Sequence, residues 1–143
     1  MKISTRTRYG LRAMADLAIH YKEKPVLVKD IARRQNISDK YLEHIMLALK
    51  KAGLVESISG ARGGYLLTRE LSSINALEIV NALEGSLSPV PCIDHKDICK
   101  RSGTCKVRNL WARIRKSMEE ILSSTTLEDL SENKKEKEFF YHI

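Results

Sequence analysis

No aliphatic run in this 143-residue chain is longer than Ile45–Leu49, far short of the about 20 apolar residues a membrane-spanning helix needs. The amino terminus, Met-Lys-Ile-Ser-Thr-Arg, has no apolar stretch behind its basic residues, so no secretory signal is expected and the chain reads as cytoplasmic. Cysteine is scarce: three residues, an odd number that argues against a disulfide framework. No pair has the Cys-x-x-Cys spacing of a dithiol oxidoreductase. The four histidines are scattered and form no Ser/His/Asp or Cys/His arrangement, so neither an enzyme nor a small-molecule substrate is expected. Internal repeats and low-complexity segments are absent as well. What remains, 43% hydrophobic and 30% charged, suits one globular domain with an appended helix and excludes global disorder.

The charge is unevenly placed. Residues 1–70 hold 14 Lys and Arg against 7 Asp and Glu, a balance of +7, whereas residues 71–143 hold 11 of each and balance at zero. A polyanion acting on one face accounts for such asymmetry, and nucleic acid is the commonest. A generally basic surface is the plainer alternative.

Periodicity and punctuation give a mainly α chain. Ser4 or Thr5 caps a first helix to about Tyr21, with Leu11, Met14, Ala15, Ala18 and Tyr21 on its apolar face. Lys24-Pro25 ends it. A short helix over about Lys29–Gln35 and a turn at Asn36-Ile37 lead to a third helix, capped by Ser38, running from Asp39 to about Ala52 and stopped by Gly53. Leu54–Ile58 and Tyr65–Thr68 flank a glycine-rich turn and read as a β-hairpin. A small helix over Asn75–Leu83 and a broken, proline-bearing segment follow. A long helix from about Cys105 to Ser123 carries Val107, Trp111, Ile114, Met118 and Ile121 at spacings of four, three, four and three, a heptad seam. Thr126 with Asp129 starts one more short turn. The division is thus a DNA-binding unit over 1–84, a cysteine-bearing loop over 85–104, a dimerisation helix region over 105–131 and a charged tail over 132–143.

Short helix, tight turn, capped longer helix and glycine hairpin, in that order, form the winged helix-turn-helix pattern, in which the second helix of the pair enters the major groove. Ser38, Asp39, Lys40, Glu43 and His44 are the groove-facing candidates, with Tyr41 half inward by its spacing. Arg62, within Gly60-Ala-Arg-Gly-Gly, sits at the hairpin tip, where a narrow minor groove attracts a cation. Lys29, Arg33, Arg34, Lys50 and Lys51 are phosphate candidates, which add affinity without sequence information. For Lys50 and Lys51 a solvated helix face is the favoured reading, and a winged-helix module that binds protein partners is the rival use of the fold.

All three cysteines, Cys92, Cys99 and Cys105, fall within 14 residues. Gaps of six and five are wrong for a zinc knuckle but suit a loop wrapped around a larger thiolate-bound centre, an iron–sulphur cluster. Lys96, Lys100, Arg101, Lys106 and Arg108 against Asp94 and Asp97 give the segment a local +3, which lowers thiol pKa and offsets the cluster's negative charge. A fourth cysteine does not exist, so His95, Asp94, Asp97 or a residue from another segment or subunit must complete the set. Free thiols that sense oxidants directly are the alternative.

The helix pattern, the hairpin text Gly60-Ala-Arg-Gly-Gly-Tyr65, the three-cysteine loop and the long final helix resemble the Rrf2 family of bacterial regulators over residues 1 to about 130, and within it the IscR type. The resemblance implies a transcriptional repressor that is a homodimer on a roughly palindromic duplex, with the long helix as interface and Glu43 in the recognition helix. It also implies a cluster that tunes operator binding, [2Fe–2S] rather than [4Fe–4S]. Two positions depart from the family. The histidine expected three residues after the third cysteine is Arg108, and the acidic residue that some relatives carry early in the first helix is Arg8; neither can ligate iron.

Overall fold

The computed structural model describes residues 2–22 and 24–131; the charged tail expected over 132–143 lies outside them. Helix α1 spans Thr5–His20, with the Ser4 hydroxyl accepting from the Thr7 N–H at 3.2 Å. Helix α2 covers Val28–Gln35 and ends at Asn36, whose φ of 55° is a left-handed cap that lets the chain reverse within two residues. Ser38 then accepts from the Tyr41 N–H at 3.2 Å and starts α3, Asp39–Lys51. These three helices share one core. Ala13, Met14 and Leu17 of α1, Ile31 of α2, and Leu42, Ile45, Met46 and Leu49 of α3 are fully buried. The face of α1 expected from spacing is displaced toward Ala13 and Leu17. Leu11 and Ala15 instead line a groove shared with Leu122, Thr125 and Leu130, because α1 is packed on two sides.

The hairpin pairs β1, Val55–Ile58, antiparallel with β2, Gly64–Leu67, in the register Val55↔Leu67 to Ile58↔Gly64. Val26 adds a third rung, exchanging two backbone bonds of 2.9 Å with Tyr65. Gly64 makes that approach possible: its φ is +142°, and a Cβ there would lie 2.6 Å from the Val26 carbonyl oxygen.

Helix α4, Ala76–Leu83, opens with a reciprocal capping box between Asn75 and Glu78. The long helix α5 spans Arg108–Ser124 and the short α6 spans Leu127–Ser131. The expected start of the long helix at Cys105 is therefore corrected. The Thr104 and Cys105 N–H groups both turn back to the Arg101 carbonyl, and Val107 is only the residue before the first helical turn. Thr126 and Asp129 do form the expected reciprocal start of α6, and Leu127 buries it fully against the core. No residue of α5 is buried. Among the described residues no helix is long and apolar enough to cross a membrane.

One buried charge organises the first two helices. Asp16, 3% exposed, accepts from Arg34 Nε and Nη2 at 3.0 and 2.6 Å and from Gln35 Nε2 at 2.9 Å. Burial pushes its carboxyl upward, but the bonds from Arg34 and Gln35 outweigh that and hold it below the ordinary value. Asp16→Ala strands the Arg34 charge and should cost about 2–3 kcal/mol in urea unfolding, at the lower end for a broken buried pair because Arg34 keeps some water. The depressed carboxyl binds its proton more weakly folded than unfolded. The contribution is complete above the ordinary aspartate value and fades as pH falls through the lowered one. Asp16→Asn should therefore lose less stability on acidification than the parent; an identical acid limb would count against the pair.

Candidate nucleic-acid interface and cysteine loop

The buried stripe of α3 leaves Lys40, Glu43, His44, Leu47, Lys50 and Lys51 on its outer face, all exposed, with Ser38 and Asp39 exposed at its amino end. One flank of that face is closed by the hairpin. Lys50 Nζ donates to Ser57 Oγ of β1 at 2.8 Å, so it is more than a solvated lysine. Burial, and then the Glu43 carboxylate, push the Tyr65 hydroxyl of β2 upward, which places Glu43 on the hairpin side. Arg62 is exposed at the hairpin tip. With His20, Lys24, Asp30 and Arg34 it lines an open groove of about 650 Å³ between the tip and α2. Lys29 and Arg33 are exposed on α2, and Arg33 lies 3.5 Å from Asp30. Tyr41 turns back toward α1: its ring centroid is 5.9 Å from that of Tyr9, over which Arg12 sits at 5.2 Å. Its half-inward spacing is thus a packing contact. Arg34, a phosphate candidate by sequence, is committed to Asp16.

The groove side of the molecule therefore carries exposed cations on two elements and the hairpin tip, with a carboxylate among them. Cations hold phosphate without regard to sequence, whereas a carboxylate repels phosphate and can accept from a base amino group such as cytosine N4.

The cysteine loop lies apart, between α4 and α5. Cys92 sits in a 3₁₀ turn over Pro91–Ile93, and Cys99 follows another over Lys96–Ile98. All three thiols are free; Cys92 and Cys105 are half-buried and Cys99 is exposed. Among the described residues no three His, Cys, Asp or Glu side chains converge as a metal-holding group. The loop's first part is fastened to α5. Arg108 Nη2 donates to the Cys92 carbonyl at 3.1 Å. Asp94 accepts from Ser86, from Ser88 at 2.7 Å, and from Arg115, which also holds Glu119 at 2.9 Å. The serine bonds, then the Arg115 charge, hold the Asp94 carboxyl below its usual range. Among the described residues the side-chain bonds of the second part stay within it, as in Ser102 Oγ to the Lys96 carbonyl at 2.7 Å.

Asp94 is thus engaged elsewhere than with a metal, Arg108 serves as a tether, and Arg8 bonds Thr5 at 3.0 Å on α1. His95 and Asp97 are exposed. The Arg108 Nε is buried without a partner among the described residues.

On α5 the expected seam is turned. Val107 and Ile121 are 54% and 65% exposed, and Leu110, which the spacing omitted, is 46% exposed. Trp111, Ile114 and Met118 are half-buried, Met118 lining a groove of about 270 Å³ with Ile3, Leu87 and Ser88. Leu110 was missed because it sits one position before Trp111, the bulkier residue that completed the heptad count. Leu47, exposed on the outer face of α3, also lay outside the expectation, since a lone leucine between basic residues carries no motif.

Residues 3–133 match the model of the Rrf2 family, described as iron-dependent transcriptional regulators. The chain belongs to the Rrf2 family. It is 44% identical over 130 residues to protein rrf2 of Nitratidesulfovibrio vulgaris, covering 91% of this chain and 87% of that protein. It is 47% identical over 131 residues to the regulator CymR of Bacillus subtilis, covering 92% and 90%. The solved structure of CymR, described as the global cysteine regulator of that organism, superposes with a TM-score of 0.76 at 45% identity over 92% of this chain and 96% of the other. That of IscR from T. potens gives 0.74 at 42% identity over 91% and 85%. This Rrf2 protein is a DNA-binding transcriptional regulator and not an enzyme. The helices and hairpin are those of a winged helix-turn-helix regulator, so the rival of a protein-binding module is set aside.

Proposed function

We propose that this regulator is a cytoplasmic repressor that binds a roughly palindromic duplex as a two-fold dimer. Its signal enters through the loop of Cys92, Cys99 and Cys105, which holds an iron–sulphur cluster. The observation that carries the reading is the confinement of every thiol to one basic loop tied at Cys92 and Asp94 to α5. Soft thiolates suit iron, and the surrounding cations offset the charge of a thiolate-bound centre. The donor set fits three corners and not the fourth, since Arg108 cannot ligate and Asp94 is engaged; His95, Asp97 or a group from outside the loop remains for that place. When bound, such a centre supplies a bridge between thiolates that oxidants and iron shortage remove. Resemblance to the IscR type favours [2Fe–2S] over [4Fe–4S].

What the chain's own residues do is more definite. Cys92 is the anchored thiol, held through its carbonyl by Arg108, while Cys99 and Cys105 belong to the segment that, among the described residues, has no side-chain bond to α5. Any drawing together of the three thiols is therefore felt by α5 through Arg108 and Arg115. Two-fold regulators place their recognition helices at a spacing set by the dimer contact, so a shift at α5 alters operator fit.

The stripe of exposed Val107, Leu110 and Ile121 with half-buried Ile114 on α5 is the dimer surface in this reading, and Trp111 and Met118 belong partly to the protomer's own packing. Ile114→Asp puts a charge into a surface that must become dry. Sedimentation should show the parent as a dimer and this variant as a monomer with unchanged helical content; a dimeric variant would remove α5 from the interface.

A second reading, cluster-free thiol sensing, is favoured by the exposure of Cys99 and by the lack of a converging donor set among the described residues. Anaerobic purification separates the two. The cluster reading expects a brown protein with iron, acid-labile sulphide and visible absorption, lost when any one cysteine becomes alanine while the far-ultraviolet dichroism is kept. A wild-type protein that holds no iron after anaerobic reconstitution would leave thiol sensing in its place.

A further inference from the structure

The flank of α3 away from the wing carries a concavity of its own. Arg6 from the first turn of α1, His44, Leu47, Ala48, Lys51 and Ala52 from α3 and Ala82 from α4 line an open cup of about 680 Å³. Arg6, His44 and Lys51 are exposed, and among the described residues none of them forms an ion pair. No acidic side chain lines the cup. Glu84, the acid that reaches the amino end of α1, is held by the Ser4 N–H and hydroxyl at 3.0 and 3.1 Å and lines a different groove. The floor is apolar, and Leu47 is 46% exposed in the middle of the outer face of α3.

We propose that this cup seats the sugar–phosphate backbone of the duplex on the side of the recognition helix opposite the wing. The inference rests on the DNA-binding role of α3. Its chemistry alternates as the backbone does. Arg6 and Lys51 present cations and His44 ring N–H donors to phosphate oxygens, while Leu47 and Ala48 meet the apolar face of deoxyribose. α3 is then held at both edges, by Lys50 and the wing on one side and by Arg6 and Lys51 on the other. The contribution of Arg6 also explains why the amino end of α1 belongs to the binding surface: its helix dipole is positive there, and Ser4 with Thr7 fixes its first turn. A solvated basic face would need neither the concavity nor an exposed leucine at its floor.

The test uses the full-length protein and two duplexes, one selected from a random pool and one of scrambled sequence, with affinity followed against salt by fluorescence anisotropy. Arg6→Ala and Lys51→Ala should each weaken both duplexes alike and lower the slope of log affinity against log salt by about one for every phosphate left without its cation. Leu47→Ala should weaken both duplexes without changing the slope. Lys116→Ala, the same charge change on the remote α5, should leave the slope unaltered. Dichroism and thermal unfolding establish that each variant is folded. Unchanged slopes for Arg6→Ala and Lys51→Ala would overturn the seat, as would weakening confined to the selected duplex, which would mean base contacts. An equal slope change in Lys116→Ala would overturn it too, by showing an effect of total charge. A parent protein that binds neither duplex would instead bring down the DNA-binding role of α3, and the seat with it.

Discussion

A single buried carboxylate fixes the frame on which the binding surface is built. Asp16 lies within α1, yet its bonds go to Arg34 and Gln35 at the end of α2, immediately before the left-handed Asn36. Arg12, one helical turn earlier on α1, reaches Gln35 as well, through its side chain at 3.2 Å. The last turn of α2 is thereby pinned to α1 at the point where the chain reverses into α3. With the turn held, Ser38 starts α3 in one orientation, and the inner stripe from Leu42 to Leu49 locks its rotation. Were this corner loose, the exposed residues of α3 would have no fixed direction. A charge at 3% exposure is tolerated because its oxygens are filled by guanidinium and amide donors.

From that corner the molecule divides into a basic half and a neutral half. The excess positive charge of residues 1–70 appears in the structure as exposed cations around α3, on α2 and at the wing tip. The second half has no net charge, and its long helix has no fully buried residue. The two halves meet where α4 packs on α1 through Gly10, at which an added Cβ would fall 2.0 Å from Leu83 Cδ1. They also meet at α6, which is tied to the start of α4 by Ala76 and Leu127 backbone bonds of 2.8 and 2.9 Å and puts Leu127 into the core that α1 shares. Movement at α5 thus has short, packed routes to α1 and to the frame of α3.

Legibility in the sequence followed the range of the interactions. Caps and turns are local chemistry, so Ser4, Ser38 and the glycine hairpin stood out and lie where their spacing put them. The membership in the Rrf2 family was legible for the same reason, since the wing text and the cysteine loop are contiguous. The start of α5 was not, because Val107 continues the apolar period while Thr104 and Cys105 fold back on Arg101, a competition that spacing does not weigh. On the exposed face of α5, Val107 and Ile121 were legible but Leu110 was not, since a heptad count takes the bulkier Trp111 and only packing tells which is covered. Asp16 with Arg34, and Arg6 with Lys51, join residues far apart in the chain, and no local pattern marks either pair.

The central claim is that duplex contact is confined to the frame around α3, with the cysteine loop reporting from a distance. Hydrogen exchange of the intact protein, free and bound to a selected duplex, tests it most directly. Bound DNA should slow exchange in the first turn of α1, in α3 and across the wing tip at residues 59–64, while amides over 91–105 change little under fixed redox conditions. Strong protection concentrated in 91–105, with α3 and the wing unaffected, would contradict the account.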